Sequence, residues 1–212
     1  YQEFTTGEYR KQDTGTSQNC GTNASWSLTD GVLTIAGSGA MTDYTGNDNA
    51  PWHDQAASIT SIVISDGITT IGEAAFYECS KAVTVSIPAT VSSIGKYAFA
   101  ECHSVTEVML PNSVTELPYA AFANCTSMTS IQCDGVTTIG DYVFQRVPFE
   151  QFTVPAGVTS LSDKAFFNAP VKEFAVAAGN TVYIVEDGIL YTEQGQTLFA
   201  YPIGKTDTSF VV

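Results

Sequence analysis

Hydrophobic positions recur along the chain with a period of 22 or 23 residues. The clearest mark is a six-residue pattern that ends in Ala-Phe or Val-Phe, and its five phenylalanines are 23, 23, 22 and 22 positions apart: Phe76, Phe99, Phe122, Phe144 and Phe166. A repeat this short cannot bury its own apolar face, so its copies must stack. The period therefore predicts an elongated solenoid in which equivalent residues form columns.

Each Phe pattern is preceded by three apolar residues that lie three and then two positions apart. The alternation across the last two is typical of a strand with one buried face. Proline directly follows three of these strands and ends their pairing, because it lacks an N–H donor. We therefore expect six strands in one parallel sheet, with these inward residues: Ile59/Ile62/Ile64, Ala82/Val85/Ile87, Val105/Val108/Leu110, Met128/Ile131/Cys133, Phe149/Phe152/Val154 and Val171/Phe174/Val176.

The segments that contain the repeat Phe are too short for an isolated helix. We expect each to form one helical or 3₁₀ turn on the outer arc of its coil. Cys79, Cys102 and Cys125 each follow the Phe by three residues and should form an inward column. Stacked strands lie about 4.8 Å apart, whereas bridged Cβ atoms lie about 3.8 Å apart. Together with the odd total of five Cys, this spacing predicts buried free thiols.

One repeat shows the whole pattern: Val105-x-x-Val108-x-Leu110-Pro111-x-x-Val114-x-x-Leu117-x-x-x-Ala121-Phe122-x-x-Cys125. It resembles the BspA-like bacterial leucine-rich repeat family, over about Ile59 to Val176. The resemblance implies an α/β-type repeat solenoid, mostly β, with a right-handed stack and one parallel sheet. It also implies a secreted or cell-surface bacterial protein. Val147 and Ala169 replace the repeat Cys in later coils, but both are small and apolar.

The segment 20–57 precedes the repeats and lacks their period. In it, Trp26–Thr29 and Val32–Ile35 flank Asp30-Gly31, which is a strong signal for a two-residue hairpin turn. An aromatic-bearing hairpin at this position is best interpreted as a cap that shields the first rung.

Near the other end, Thr181–Val185, Ile189–Tyr191 and Thr197–Tyr201 alternate with turn signals and predict a β meander. Phe210 and Val212 repeat the two-residue spacing of an inward strand pair, so we expect a further rung to begin there and the natural protein to continue. The chain is thus divided into a flexible N-terminal segment 1–19, a hairpin cap 20–57, leucine-rich repeats 58–178, a meander insert 179–204 and a truncated rung 205–212.

The charge balance restricts the class of partner. The chain carries 22 acidic and 8 basic residues, a formal net charge of -14, and this sign opposes binding to nucleic-acid phosphates or anionic lipids. No apolar run approaches the roughly 20 residues needed to span a bilayer. We expect neither nucleic-acid binding nor membrane insertion by this segment.

Candidate catalytic and metal-binding residues are few. His53 and His103 are the only histidines, and neither lies in a metal-binding motif. Cys102 precedes His103 but should point inward while His103 points outward, which disfavours a thiol nucleophile. Asp43 and Asp48 lack the ligand spacing and closing Glu of a calcium loop, so a flexible polar loop is expected. We predict a protein that is not an enzyme and uses neither a cofactor nor a metal.

The residues between the inward strand positions should form a broad outward surface of small and polar side chains. Repeat proteins use such extended surfaces for binding, although Ser and Thr are also ordinary residues of solvated strands. One outward column is Val63, Ser86, Met109, Gln132, Thr153 and Ala175, and its neighbour is Ser61, Thr84, Glu107, Ser130, Gln151 and Glu173. All of these except Ala175 are candidate partner-binding residues.

Three functions remain open at this point. The first is an extracellular or cell-surface module that binds a protein partner through this outward face. The second is a carbohydrate-binding module that uses Tyr97, Tyr119 and Tyr142, although these rings are equally consistent with packing at the rim. The third is a structural spacer that carries another domain. The partner is thus a protein or a glycan at a cell surface, and the oligomeric state is open.

Overall fold

A computed structural model describes residues 18–45, 50–192 and 195–206. The chain winds into a mostly β solenoid whose coils stack along one axis, as the period predicted. The expected flexible segment 1–19 and the expected rung at Phe210 and Val212 lie almost wholly outside the described residues.

The N-terminal hairpin is present where Asp30-Gly31 predicted it. Strand β1 (Gly21–Thr29) pairs antiparallel with β2 (Val32–Met41). Both turn residues have positive φ, 51° for Asp30 and 79° for Gly31, as a type I′ turn requires. A short 3₁₀ helix, η1 (His53–Ser58), then leads into the first coil.

Strand β2 begins two separate parallel ladders of the solenoid. Its first half pairs with β3 (Ser61–Ile64), and its second half, through Gly39 and Ala40, pairs with β4 (Ile68–Ile71). The hairpin is therefore continuous with two sides of the stack. The sequence pattern did not predict this double pairing.

One strand of each coil lies on the predicted sheet side. After β3, these strands are β5 (Thr84–Ser86), β7 (Glu107–Met109), β9 (Ser130–Gln132), β11 (Gln151–Val154) and β13 (Glu173–Val176). Parallel pairing joins β3 to β5, β7 to β9 and β11 to β13, so the hydrogen-bonded sheet is divided into segments. The register places Glu107 opposite Ser130 and Gln151 opposite Glu173, as the outward columns require.

A second set of short strands runs along another side of each coil. After β4, they are β6 (Ser93–Ile94), β8 (Glu116–Leu117), β10 (Thr138–Ile139) and β12 (Ser160–Leu161). Strands β8, β10 and β12 pair in parallel, and β4 pairs with β6. Because only two residues of most coils take part, no alternation long enough to signal a strand is visible in the sequence.

The outer arc corrects one expectation, because it consists of turns and not of helical or 3₁₀ segments. Within the first arc, the N–H of Cys79 donates to the Phe76 carbonyl (3.2 Å), but the N–H of Phe76 donates to the Ala98 carbonyl of the next coil (2.8 Å). A 3₁₀ helix would keep all of these bonds within one coil. The arc therefore forms a third ladder between coils.

Successive N–H groups of the arc donate alternately within their coil and to the next coil, and this requires an unusual backbone conformation. Two residues of each arc have φ between 51° and 62° in most coils: Ala74, Glu78, Tyr97, Glu101, Ala120, Asn124, Tyr142 and Arg146. Left-handed backbone costs an L-residue roughly 1–2 kcal/mol. The arc retains the conformation because it directs alternate N–H groups to the neighbouring coil.

The repeat phenylalanines form the predicted column, although Phe166 at its end is only half-buried, 5.5 Å from Phe144. Phe76, Phe99, Phe122 and Phe144 are buried, and successive ring centroids lie 5.2, 5.3 and 6.3 Å apart with nearly parallel planes. At the N-terminal end, Trp52 continues the stack 5.8 Å from Phe76 and donates its indole N–H to the Ala75 carbonyl. The cap therefore covers the end of this column.

The C-terminal meander is also present. It comprises β14 (Ile184–Glu186), β15 (Ile189–Thr192) and β16 (Thr197–Ala200), which pair antiparallel in that order. The first strand begins three residues later than predicted because the side-chain oxygen of Asn180 accepts the N–H groups of Val182 and Tyr183, which forms a turn.

Replacing Phe122 by Ala should lower the free energy of unfolding by about 3–5 kcal/mol, since the ring is buried between two stacked neighbours. Urea unfolding measures the change. The matched control is Phe167→Ala, which removes an exposed ring of the same type and should have a markedly smaller effect. An equal decrease in the free energy of unfolding for the two variants would show that the phenylalanine column is not a main source of core stability.

Candidate interaction surface

The sheet side presents an outward surface of alternating strand positions, which we call the sheet face. It comprises Ser61, Val63, Thr84, Ser86, Glu107, Met109, Ser130, Gln132, Gln151, Thr153, Glu173 and Ala175. Most of these side chains are exposed, and Ser61, Val63 and Ala175 are half-buried. Met109 is 67% exposed although it lies between the buried Val108 and Leu110. A large apolar side chain therefore stands at the centre of a polar surface.

Hydrogen bonds between coils hold several side chains of the sheet face in place. The Ser61 and Thr84 hydroxyls lie 2.8 Å apart, and Gln151 donates to the Glu173 carboxylate at 3.1 Å. Gln132 donates to Asp134 at 2.9 Å. The strands fix the backbone, and these bonds restrict the rotamers of Ser61, Thr84, Gln132, Gln151 and Glu173.

A polar cavity of about 390 Å³ adjoins the C-terminal end of the sheet face. It is lined by Lys172, Glu173, Asp187, Gly188, Gly204, Lys205 and Thr206. Its charges are largely paired within the protein, since Lys205 contacts the Asp187 carboxylate (2.8 Å) and Lys172 contacts Glu150 (2.7 Å). The cavity thus extends the sheet face, and the charges that line it are balanced.

Cys102 and His103 point to opposite sides of the coil, as predicted. The Cys102 thiol is buried and donates to the Phe76 carbonyl at 3.2 Å. The His103 ring is exposed, with Nδ1 2.9 Å from the Asn124 carbonyl oxygen and Nε2 3.4 Å from the Glu101 carboxylate. A sulfur nucleophile and its base are therefore not brought together at this position.

His53 is half-buried beside the cap and lines an open concavity with Asp54, Glu78, Glu101 and His103. Within residues 18–45, 50–192 and 195–206, no group of three or more His, Cys, Asp or Glu side chains has the arrangement of a metal site. Asp43 accepts the N–H of Glu73 at 2.7 Å, so this part of the expected flexible loop is tied to the first coil. Asp48 lies outside the described residues.

The cysteines are core residues. Cys20, Cys79, Cys102, Cys125 and Cys133 are all buried and unbridged, as predicted for the repeat column. Burial raises the pKa of the Cys79 thiol to about 12, and it raises the pKa of Cys102 well above its ordinary value. Cys125 donates to the Phe99 carbonyl at 3.2 Å, which repeats the bond made by Cys102. The sequence predicted burial but not this hydrogen bond between coils.

Three tyrosines and one phenylalanine form a row on the outer arc, which we call the tyrosine stripe. Its rings are Tyr97, Tyr119, Tyr142 and Phe167, with successive centroids 5.3, 5.4 and 5.6 Å apart in edge-to-face contact. The sequence indicated the three tyrosines but not their mutual contact, and it did not indicate Phe167. The four rings do not all occupy the same position of their repeats, so a sequence repeat does not reveal the row. The rings meet only because the coils stack.

Residues 53–172 match the BspA type leucine rich repeat region, in six copies. This span covers more than half of the 212 residues. The chain belongs to the BspA-type leucine-rich repeat family. The resemblance that the repeat unit predicted is thereby confirmed, and a comparison with curated proteins gives no match.

Solved structures of similar fold come from bacteria. A leucine-rich repeat protein of Eubacterium ventriosum has 29% identity and a TM-score of 0.67 over 91% of this chain and 52% of its own. A leucine rich cell surface protein of Faecalibacterium prausnitzii has 22% identity and a TM-score of 0.62, over 93% and 64% of the two chains. The pneumococcal vaccine antigen PcpA has 19% identity and a TM-score of 0.69, over 92% and 58%.

Each of these three relatives is longer than the present chain, which spans between 52% and 64% of their lengths. The two with identities below 25% share the fold, and their descriptions apply to those proteins alone. In the part of this chain that the structure describes, no helix has both the length and the apolar character needed to cross a membrane.

Because all five thiols are buried, native protein at mildly alkaline pH should react with Ellman's reagent at none of them within minutes. After unfolding in concentrated guanidinium chloride, all five should react. Absorbance of the released thionitrobenzoate measures both states. Stoichiometric reaction before unfolding would contradict the assignment of the cysteines to the core.

Proposed function

We propose that this chain is a non-catalytic interaction module of a bacterial cell surface and that it binds a protein partner through the sheet face. The observation that carries the proposal is Met109, which is 67% exposed on a rigid strand at the centre of that face. Binding energy at protein interfaces concentrates in a few central apolar anchors within a polar surround. Met is well suited to this role because its flexible thioether adapts to a partner's pocket.

The hydrogen bonds among side chains of the sheet face support the same function. Side chains that already pair with one another, such as Ser61 with Thr84 and Gln151 with Glu173, lose little rotamer freedom when a partner binds. Repeat families commonly bind partners through extended surfaces of this kind, built from residues that vary between coils. This common mode of binding supports a role for the candidate residues predicted from the sequence.

The surface location is supported by family membership and by the Faecalibacterium relative, which is described as a cell surface protein. The non-catalytic character is supported by family membership, and the separation of Cys102 from His103 argues against a thiol–histidine pair at that position. Because the relatives are longer, this chain would act as the repeat segment of a larger surface protein.

The double variant Met109→Glu and Gln132→Arg should abolish capture of the partner, since it places two charges at the centre of the sheet face. The biotinylated chain and its variants serve as bait for bacterial and host surface proteins, and mass spectrometry identifies what each bait retains. The matched control is Thr126→Glu with Ser127→Arg, which introduces the same charges on an exposed turn.

A protein retained by the wild type and by the turn variant, but not by the Met109 and Gln132 variant, supports the proposal. Equal retention by all three baits would exclude the centre of the sheet face. Circular dichroism of each bait shows that the comparison is made between folded proteins.

A further inference from the structure

The tyrosine stripe lies on a different side of the solenoid from the sheet face and is not required by the coil geometry. Tyr97 and Tyr142 occupy the same repeat position as Ala74 and Ala120, and all four have φ between 51° and 59°. Alanine therefore adopts the same backbone without a ring. Tyr97 is nevertheless 37% exposed, and Phe167 at the end of the stripe is 49% exposed.

The stripe repeats along the solenoid axis. Its three ring-to-ring steps are 5.3, 5.4 and 5.6 Å, and Tyr142 packs against the buried Ala100, Ala120 and Ala123. An evenly spaced row of rings is suited to a ligand that repeats along its own length. Tyrosine offers such a ligand an apolar ring and a polar hydroxyl together.

The four arc segments that carry the stripe have balanced charge, unlike the whole chain, and Glu73 of the preceding arc adds one carboxylate near Tyr97. The arc segments 94–104, 117–127, 139–148 and 161–170 contain three cations and three carboxylates: Lys96, Arg146, Lys164, Glu101, Asp141 and Asp163. The whole chain has a net charge of -14. A neutral ligand fits a locally neutral surface, whereas nucleic acids, sulfated glycans and anionic lipids are repelled by the remaining charge.

Strand addition by an extended peptide is disfavoured along the inner arcs of the stripe, because their backbone N–H groups already have acceptors. The N–H groups of Tyr97, Phe99 and Glu101 donate to carbonyls of the next coil, at distances between 2.8 and 3.1 Å. The intervening Ala98 and Ala100 donate within their own coil. Strand addition needs unpaired backbone donors and acceptors, and the N–H donors of this arc are already used.

We propose that the tyrosine stripe binds a neutral linear glycan, independently of the partner that binds the sheet face. Neighbouring ring planes are turned by 62 to 77°, so alternate rings stack against the apolar faces of sugars and the rings between them present their edges. The phenol hydroxyls and the flanking charged side chains exchange hydrogen bonds with sugar hydroxyls. The chain would thus be a two-sided module, with a protein site on the sheet side and a glycan site on the arc.

Native affinity electrophoresis tests this with the full chain in gels that contain mixed-linkage β-glucan, xyloglucan, galactomannan or pullulan. Gels with polygalacturonate and glycol chitosan provide an anionic and a cationic comparison. We expect at least one neutral polysaccharide to retard the wild type, and Tyr119→Ala to weaken that binding about tenfold, the effect of losing one stacked ring. Tyr119→Phe, which keeps the ring, should retain most of the affinity.

Tyr77→Ala is the matched control, since it removes an equally exposed tyrosine of the arc that is not in ring contact with the stripe. It should leave the retardation unchanged. Thermal melting checks that each variant folds. If Tyr119→Ala melts at a lower temperature than the wild type, Phe167→Ala replaces it in the electrophoresis, because the Phe167 ring is the most exposed of the stripe.

The proposal is overturned if none of the neutral polysaccharides retards the wild type, or if retardation survives the loss of stripe rings in folded protein. Retardation by glycol chitosan alone also overturns it, because net charge then explains the binding. A stripe variant that loses a captured protein, while no polysaccharide binds the wild type, would assign the stripe to a protein partner instead. None of these results depends on Met109 or the sheet face, so the two proposals are separable.

Discussion

No coil of this solenoid can pair all of its backbone N–H and C=O groups by itself. On the sheet side, β3 pairs with strands of two neighbouring coils, and the short strands from β4 to β12 pair in the same direction on another side. On the outer arc, the N–H of each repeat Phe from Phe76 to Phe144 donates to a carbonyl one coil further along. An unpaired buried backbone group is costly, so each coil is stable only against its neighbours.

The same dependence explains why the apolar residues form columns. Coils that are joined on three sides must stay in register. This register stacks each repeat Phe on the next and places Cys102 and Cys125 beside the carbonyl of the Phe in the preceding coil. Positive φ at non-glycine residues such as Glu101 and Asn124 is tolerated because it turns alternate N–H groups toward the next coil. The core geometry repeats from coil to coil and places few demands on the outward side chains, which are where binding is proposed.

Part of this architecture could be predicted from the sequence. The Phe period gave the stack, the alternation in the strand triplets gave the outward columns, and Asp30-Gly31 gave the hairpin turn. The arc could not be predicted correctly, because its short segments are compatible with a 3₁₀ turn and the competing carbonyl lies 21 or 22 residues away. The tyrosine stripe was only partly visible, since Tyr119 and Phe167 occupy different repeat positions from Tyr97 and Tyr142.

Hydrogen exchange of the arc amides tests whether the arc is a ladder between coils. The amide protons of Phe76, Phe99, Phe122 and Phe144 should exchange as slowly as those of the sheet strands, with opening free energies close to that of global unfolding. NMR after transfer into deuterated buffer resolves them one by one. Exchange of these four amides within seconds, as in surface turns whose N–H groups face water, would show that the arc is not such a ladder.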